Sequence, residues 1–325
     1  MNEHVHAMKN NSAKGRTEGH EATGLSRILD DRHRIELDEQ ENLAGDDQHA
    51  LRHAAIAPAA LCTIVGIDGS FSRRCGAQLA IGQDGGIVGS LADSCLEAEL
   101  ANQASIAWSE GKARLLRYGR GSPYIDIRLP CGGGLDVLID PFPDQRSLQE
   151  AVDRIDARAV TGIKLALPEH ASPGLLTTRC YLPPLRIAIL GAGPECWALK
   201  KLAAAFGIDA IVLGPETGLA LGREPTSLRV DRWTALVMLF HDHDWEDALL
   251  KWALQTPAFF IGAQGGAGVR EARRRRLVEA GYGLGEIARI NGPIGVIPHA
   301  RDPGVLALSV LAQVVDAYQA LHPHP

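Results

Sequence analysis

The 325-residue sequence has no run of 18 or more apolar residues, so no segment is long and apolar enough to cross a bilayer as a helix. It has no surplus of positive charge either: 33 Lys and Arg stand against 39 Asp and Glu. Binding to a phosphate backbone needs clustered cations, which argues against a nucleic-acid partner. Of its six cysteines none forms a C-x-x-C pair, so neither a dense disulfide framework nor a structural zinc site is expected. The N-terminus lacks the charged-then-apolar order of a secretory signal. These absences lead to the expectation of a protein of the reducing cytoplasm, with neither membrane nor nucleic-acid partners. The balance of 46% hydrophobic and 22% charged residues is that of an ordinary globular chain.

What charge there is lies at one end. Residues 1–50 carry 6 Lys and Arg against 11 Asp and Glu, leaving the rest of the chain nearly neutral. Residues 1–48 have few large apolar side chains and cannot bury enough surface to offset their ordering entropy, so a disordered tail is expected there. From residue 49 to 167 the texture is that of a mixed α+β domain. The run Leu61 to Ile67 ends at the turn Asp68-Gly69-Ser70, and a hairpin turns at Gln83-Asp84-Gly85-Gly86. A helix over Cys95 to Glu110 and strands over Ala113 to Tyr118, Tyr124 to Leu129 and Leu135 to Ile139 follow. An amphipathic helix near Ser147 to Arg158 and a strand near Ile163 close the domain. The proline-bearing stretch 168–184 reads as a linker. Over 185–325 short aliphatic runs alternate strictly with helices, which predicts a Rossmann-like, doubly wound parallel sheet. The fold class is thus α/β, with an α+β domain in front.

Four motifs carry candidate chemistry. Gly191-Ala192-Gly193 lies between a strand and a helix, where glycines let a backbone approach a pyrophosphate; NAD(P) is the ligand such a crevice would take. Against that stand Glu195 and Cys196 in the loop and the lack of a carboxylate at the end of the strand closing on Leu213-Gly214-Pro215, for which Glu216 is a poor substitute. Asp93-Ser94-Cys95-Leu96-Glu97 has capping-box spacing, placing Cys95 in a first helical turn that favours a thiolate. Cys131-Gly132-Gly133-Gly134 is a glycine-rich loop with a second thiol, and Ser70, Ser72, Arg73 and Arg74 precede it in another loop; together these groups suit a phosphorylated, sulfur-rich ligand. His241-Asp242-His243-Asp244 follows a strand at the edge where ligands of open α/β sheets gather, so His241 and His243 are candidates for a metal or acid–base role, with a capped loop as the alternative. The basic run Arg273 to Arg276 reads as a solvated helix face.

In this order the motifs resemble the xanthine dehydrogenase accessory protein family (XdhC/CoxI type). The matching pieces run from Ala60-Leu61-Cys62 through Asp68-Gly69-Ser70, Arg73-Arg74, Ser94-Cys95-Leu96-Glu97 and Cys131-Gly132-Gly133. They continue through Gly191-Ala192-Gly193, His241-Asp242-His243, Gly262-Ala263, Pro293-Ile294-Gly295 and Leu306 to Ala312. The pattern is departed from at Asp93-Ser94, where the family has Gly-Gly, at Pro194, where it has a histidine, and at Gly214, where it has an aspartate. The resemblance implies an accessory protein rather than an enzyme. Such a protein binds molybdenum cofactor (molybdopterin), shields it during sulfuration beside a cysteine desulfurase, and delivers it to an apo molybdenum hydroxylase; a homodimer is compatible with it. By position it implies cofactor contacts at Cys95 and Cys131 and the Rossmann loop at Gly191 and Gly193, with Arg73 or Arg74 and the N–H groups of Gly132 and Gly133 on the phosphate. Two other readings stand beside it: an NAD(P)-dependent oxidoreductase using the Gly191-x-Gly193 crevice, and a scaffold that binds only proteins.

Overall fold

Short aliphatic runs pair into two five-stranded sheets in the computed structural model, which describes residues 46–91, 94–123, 132–169 and 171–324. The expected tail through residue 45, the strand over Tyr124 to Leu129, Asp93 and Cys131 lie outside the described residues, as do the side chains of Ser94 and Cys95.

The first sheet is antiparallel. Its elements are α1 (Asp46–Ile56), β1 (Ala59–Asp68), β2 (Gln78–Gly82), β3 (Ile87–Gly89), α2 (Ser94–Glu110), β4 (Arg114–Gly119), β5 (Gly134–Asp140) and α3 (Gln145–Asp156). The strand order is β3-β2-β1-β5-β4. β1 is buried over most of its length because it lies in the centre, with α2 on one face and α1 and α3 on the other. α3 shows why its sequence becomes a helix: Leu148, Ala151, Val152 and Ile155 fall on one face, and Asp144 caps its first turn by accepting from the Arg146 N–H. In the capping-box motif the Glu97 carboxylate reaches back to the Ser90 hydroxyl at 2.8 Å and the Leu91 N–H at 3.2 Å.

Two elements depart from expectation. α1 occupies residues assigned to the tail and the stretch after it; its Ala50, Leu51 and Ala54 are fully buried beneath α3 and β2, small residues that carry little apolar signal on their own. The stretch expected as a linker contains β7 (Thr178–Tyr181), which pairs antiparallel with β6 (Thr161–Lys164).

The second sheet is parallel, order β12-β11-β10-β8-β9, as alternation predicts. It comprises β8 (Arg186–Gly191), α4 (Pro194–Ala205), β9 (Asp209–Leu213), β10 (Thr234–Leu239), α5 (Glu246–Gln255), β11 (Phe260–Ala263), α6 (Ala267–Glu279), the short α7 (Leu284–Ile287), β12 (Ile290–Asn291) and α8 (Pro303–Gln319). α4 and α8 cover one face, and α5 and α6 the other. β8 and β10 are buried on both sides, which is why they read as continuous aliphatic runs. Asp302 caps α8, accepting from the Gly304 and Val305 N–H groups at 2.8 and 3.0 Å. The turn before β10 is tied to residues after α3 by Arg158, whose guanidinium meets the Asp231 carboxylate at 2.7 and 3.1 Å.

Candidate functional site

β1 bulges between Ile64 and Gly66, where its register with β5 shifts. The bulge turns the Val65 carbonyl away from the sheet to accept from the Leu176 N–H at 2.8 Å, drawing residues 172–177 alongside. Beyond β1 the chain loops through Ser70 to Cys75 between two glycines in left-handed conformation, Gly69 (φ 89°) and Gly76 (φ 88°). At Gly76 a side chain would also press on the Arg179 Cδ, 2.8 Å from its Cβ position. The final helix supplies the facing wall, with Leu308, Leu311 and Val315. Arg74 donates to the Gln319 side chain, and His324 accepts from the Cys180 N–H at 2.9 Å.

Between these parts lies a cleft of about 1740 Å³. Five arginines line it (Arg52, Arg73, Arg74, Arg117 and Arg179), against a single carboxylate among the described lining residues, Asp136. Arg117 holds that carboxylate at 2.6 Å and Arg52 is paired outside the cleft with Asp156 at 2.6 Å. Arg179 is 1% exposed and stacks on the Tyr181 ring, 4.6 Å from its centroid. Tyr181 in turn donates to Gln78, and Gln78 to Thr63 at 3.0 Å, so the guanidinium rests on a buried polar chain. The field in the cleft is positive and its far wall apolar, a combination that fits a flat ligand with an anionic end.

Among the described residues one thiol faces this space, and sequence reasoning passed over it. Cys75, next to the two expected arginines, is half-buried and donates weakly to the Ile64 carbonyl at 3.6 Å. Burial pushes its thiol up, while the Gly76 N–H and the Arg179 charge pull the other way. Cys62 and Cys196 are buried and inert, the first raised by desolvation and the second pushed up to about 12 by desolvation and by the Glu195 charge. The adjacency Arg73-Arg74-Cys75 was the available signal for Cys75; nothing local signalled Arg179, a lone arginine in a four-residue strand.

The other expected residues fall elsewhere. Cys95 lies in the first turn of α2. The carbonyls of Gly132 and Gly133 accept from Arg120, at 3.1 Å from its guanidinium and 2.8 Å from its backbone N–H, beside Gly69. Gly191 and Gly193 are not in the cleft: Gly191 ends β8 and Gly193 follows it, whereas the cleft reaches Phe206 to Ile208, just before β9, at the opposite edge of the sheet. Gly191 is required by close approach, since an added Cβ would strike the Leu239 carbonyl and lie 2.9 Å from the Cys196 Sγ. The space over Gly193 is taken by the Glu195 carboxylate, 2.8 Å from the Gly193 Cβ position, 3% exposed and 3.1 Å from the His241 Nε2. A dinucleotide pyrophosphate placed there would meet that carboxylate. His243 turns to a different partner, Glu246, at 3.2 Å. Among the described residues no group of three or more His, Cys, Asp and Glu side chains is arranged for a metal ion.

Comparison with known proteins agrees with this architecture. The XdhC and CoxI family matches residues 53–119, and the XdhC Rossmann domain matches residues 187–314. The molybdenum cofactor insertion chaperone PaoD of Escherichia coli (strain K12) is 33% identical over 293 residues, 85% of this chain and 90% of that one. YqeB, an uncharacterized protein of the same organism, is 24% identical over 277 residues, 79% of this chain and 43% of its own. A Bacillus halodurans crystal structure, described as a xanthine dehydrogenase, superposes with a TM-score of 0.65 over 88% of this chain and 96% of the other; at 20% identity it speaks for the fold. With a relative one-third identical along nearly its whole length and both segments matched, this chain belongs to the XdhC and CoxI family.

Proposed function

We propose that the protein is a chaperone for molybdenum cofactor, which it carries as cargo in the arginine-lined cleft and hands to an apo molybdenum hydroxylase. The observation that carries this is the five-to-one excess of arginines over carboxylates in a cleft of about 1740 Å³ with one apolar wall. Such a lining fits a pterin with a phosphate end: Arg73 and Arg74, in the Ser70–Cys75 loop, are placed to pair with phosphate oxygens, and Leu308, Leu311 and Val315 to cover the ring. The bound cofactor supplies the metal and its dithiolene; the chain supplies charge, shape and exclusion of water. Cys75 offers a thiol at the cleft, and Cys95 and Cys131 are further candidates by family position. Transfer of sulfur to the cargo would be the work of a cysteine desulfurase acting beside it. The relationship to an E. coli insertion chaperone supports the reading.

The test is the molybdenum and pterin content of the protein purified without oxygen from a host that makes the cofactor. Near-stoichiometric cofactor is expected, lost in the Arg73→Gln, Arg74→Gln double variant while the melting temperature holds. Cofactor retained by that variant would move the site out of the cleft. If the Cys95→Ser, Cys131→Ser double variant matures the hydroxylase normally, those thiols have no role. The oxidoreductase alternative makes an opposite forecast, that saturating NAD(H) raises the melting temperature; the Glu195 carboxylate over Gly193 predicts no rise.

A further inference from the structure

The C-terminal edge of the parallel sheet holds a second group of buried polar atoms that the cleft does not use. Arg273, nearly two turns into α6, is 3% exposed. Its Nη2 donates to the Glu246 carboxylate and to the Gln264 carbonyl, each at 2.7 Å, but its Nη1 has no acceptor. That nitrogen, itself buried, lies 3.0 Å from the Cβ position of Gly292, the residue after β12, beside the mouth formed by the ends of β11 and β12. Arg270 reaches the Gly292 carbonyl from the same helix, at 3.5 Å.

The residues leading into α6 complete the mouth. Gln264-Gly265-Gly266 runs directly into the helix, and the N-cap, Gly266, provides no capping side chain. A Cβ on Gly266 or Gly268 would meet nothing within 4 Å, so no side chain fills the space beside the first turn of α6. His243 flanks this turn, its Cε1 3.4 Å from the Gly265 Cβ position. The Glu246 carboxylate is already paired with Arg273, and Arg270 adds a second cation. An uncapped helix start and a buried guanidinium with an unused N–H call for one ligand type, a compact anion with several oxygen acceptors.

We propose that this mouth is a phosphate-binding site, separate from the cargo cleft and at the other edge of the sheet. It takes either free phosphate or the phosphate group of a small phosphate monoester.

The full-length protein is melted in potassium phosphate, in ribose 5-phosphate, and in potassium chloride of matched ionic strength. The diagnostic variant is Gly266→Asp. Its backbone, at φ −71°, admits any residue, and an aspartate there caps the helix while placing a negative charge where the anion binds. Phosphate is expected to raise the melting temperature above chloride in the wild type. Gly266→Asp should melt no lower than wild type and lose that rise, whereas the Arg73→Gln, Arg74→Gln variant keeps it. A monoester effective at lower concentration than phosphate identifies the ester as ligand; equal potency identifies free phosphate. A wild type that responds to phosphate no more than to chloride overturns the proposal. So does a rise that survives Gly266→Asp, or one that disappears only with the cleft arginines.

Discussion

Replacing Glu246 by alanine tests the electrostatics of the second sheet most directly. Glu246 is fully buried, with one carboxylate oxygen 2.7 Å from the Arg273 Nη2 and 3.3 Å from its Nε, and the other 3.2 Å from the His243 Nδ1. The substitution leaves a guanidinium enclosed with only the Gln264 carbonyl for company. Removing one partner of a buried pair costs about 3–5 kcal/mol, because the remaining charge keeps its desolvation penalty without the attraction that offset it. For a domain of this size each kcal/mol lowers the melting temperature by roughly 2–4 °C, so a fall on the order of 10 °C is expected. Glu246→Leu combined with Arg273→Met removes both charges and should recover most of the loss, since an apolar pair of similar volume carries no such penalty. Calorimetry reads the temperatures, and urea titration at constant slope confirms that stability, not the unfolded state, has changed. A single variant melting within about 2 °C of wild type, or a double variant no better than the single, would refute the reasoning.

Three further outcomes are expected. Gly191→Ala should fail to accumulate as folded protein, because its Cβ would strike the Leu239 carbonyl and the Cys196 sulfur across the turn from β8 to α4; near-normal circular dichroism and yield would contradict that close approach. In residue-resolved alkylation of the native protein, Cys62 and Cys196 should stay unmodified until denaturant is added, while Cys75 reacts slowly and faster as pH rises, burial having pushed its thiol up. Asp231 is partly buried, which alone would raise its carboxyl, yet the Arg158 guanidinium, the Trp233 N–H and the Thr234 hydroxyl hold it below the ordinary value. A depressed carboxyl stabilises the fold above the unfolded-state value and loses that contribution as pH falls through the folded one. The stability gap between wild type and Asp231→Asn should therefore be constant near neutrality and close below about pH 4; a gap independent of pH would show that Asp231 acts only through its shape.

Much of this was legible where the signal was local. β8, β10 and β11 are aliphatic runs bounded by glycine or polar turns, and their burial on both faces makes the pattern plain. Arg73 and Arg74 were legible as a pair of cations in a loop of glycines and serines, and the structure places both on the cleft. What escaped was made by distant partners. The face of α1 consists of alanines and one leucine, which look like tail until α3 covers them. β7 alternates Thr, Arg, Cys and Tyr, and its arginine is buried against the Tyr181 ring and the distant Gly76 turn. Glu195 read as a charge that would repel phosphates; it is a buried side chain whose partner, His241, comes from the neighbouring strand end. Cys75 was overlooked because its setting depends on Arg179, more than a hundred residues away in sequence.

The contact between Arg74 and Gln319 joins residues 245 positions apart. The first sheet and its arginine loop leave the ribosome long before the helix that walls them in, and domains made first generally fold first. During that interval the loop is present but the pocket is not. A nascent or C-terminally clipped chain would thus display the arginines to solvent without the enclosure that retains a ligand. Under the proposed role, synthesis order alone would keep cargo from being loaded before Tyr318 has met the Pro183 carbonyl and His324 the Cys180 N–H.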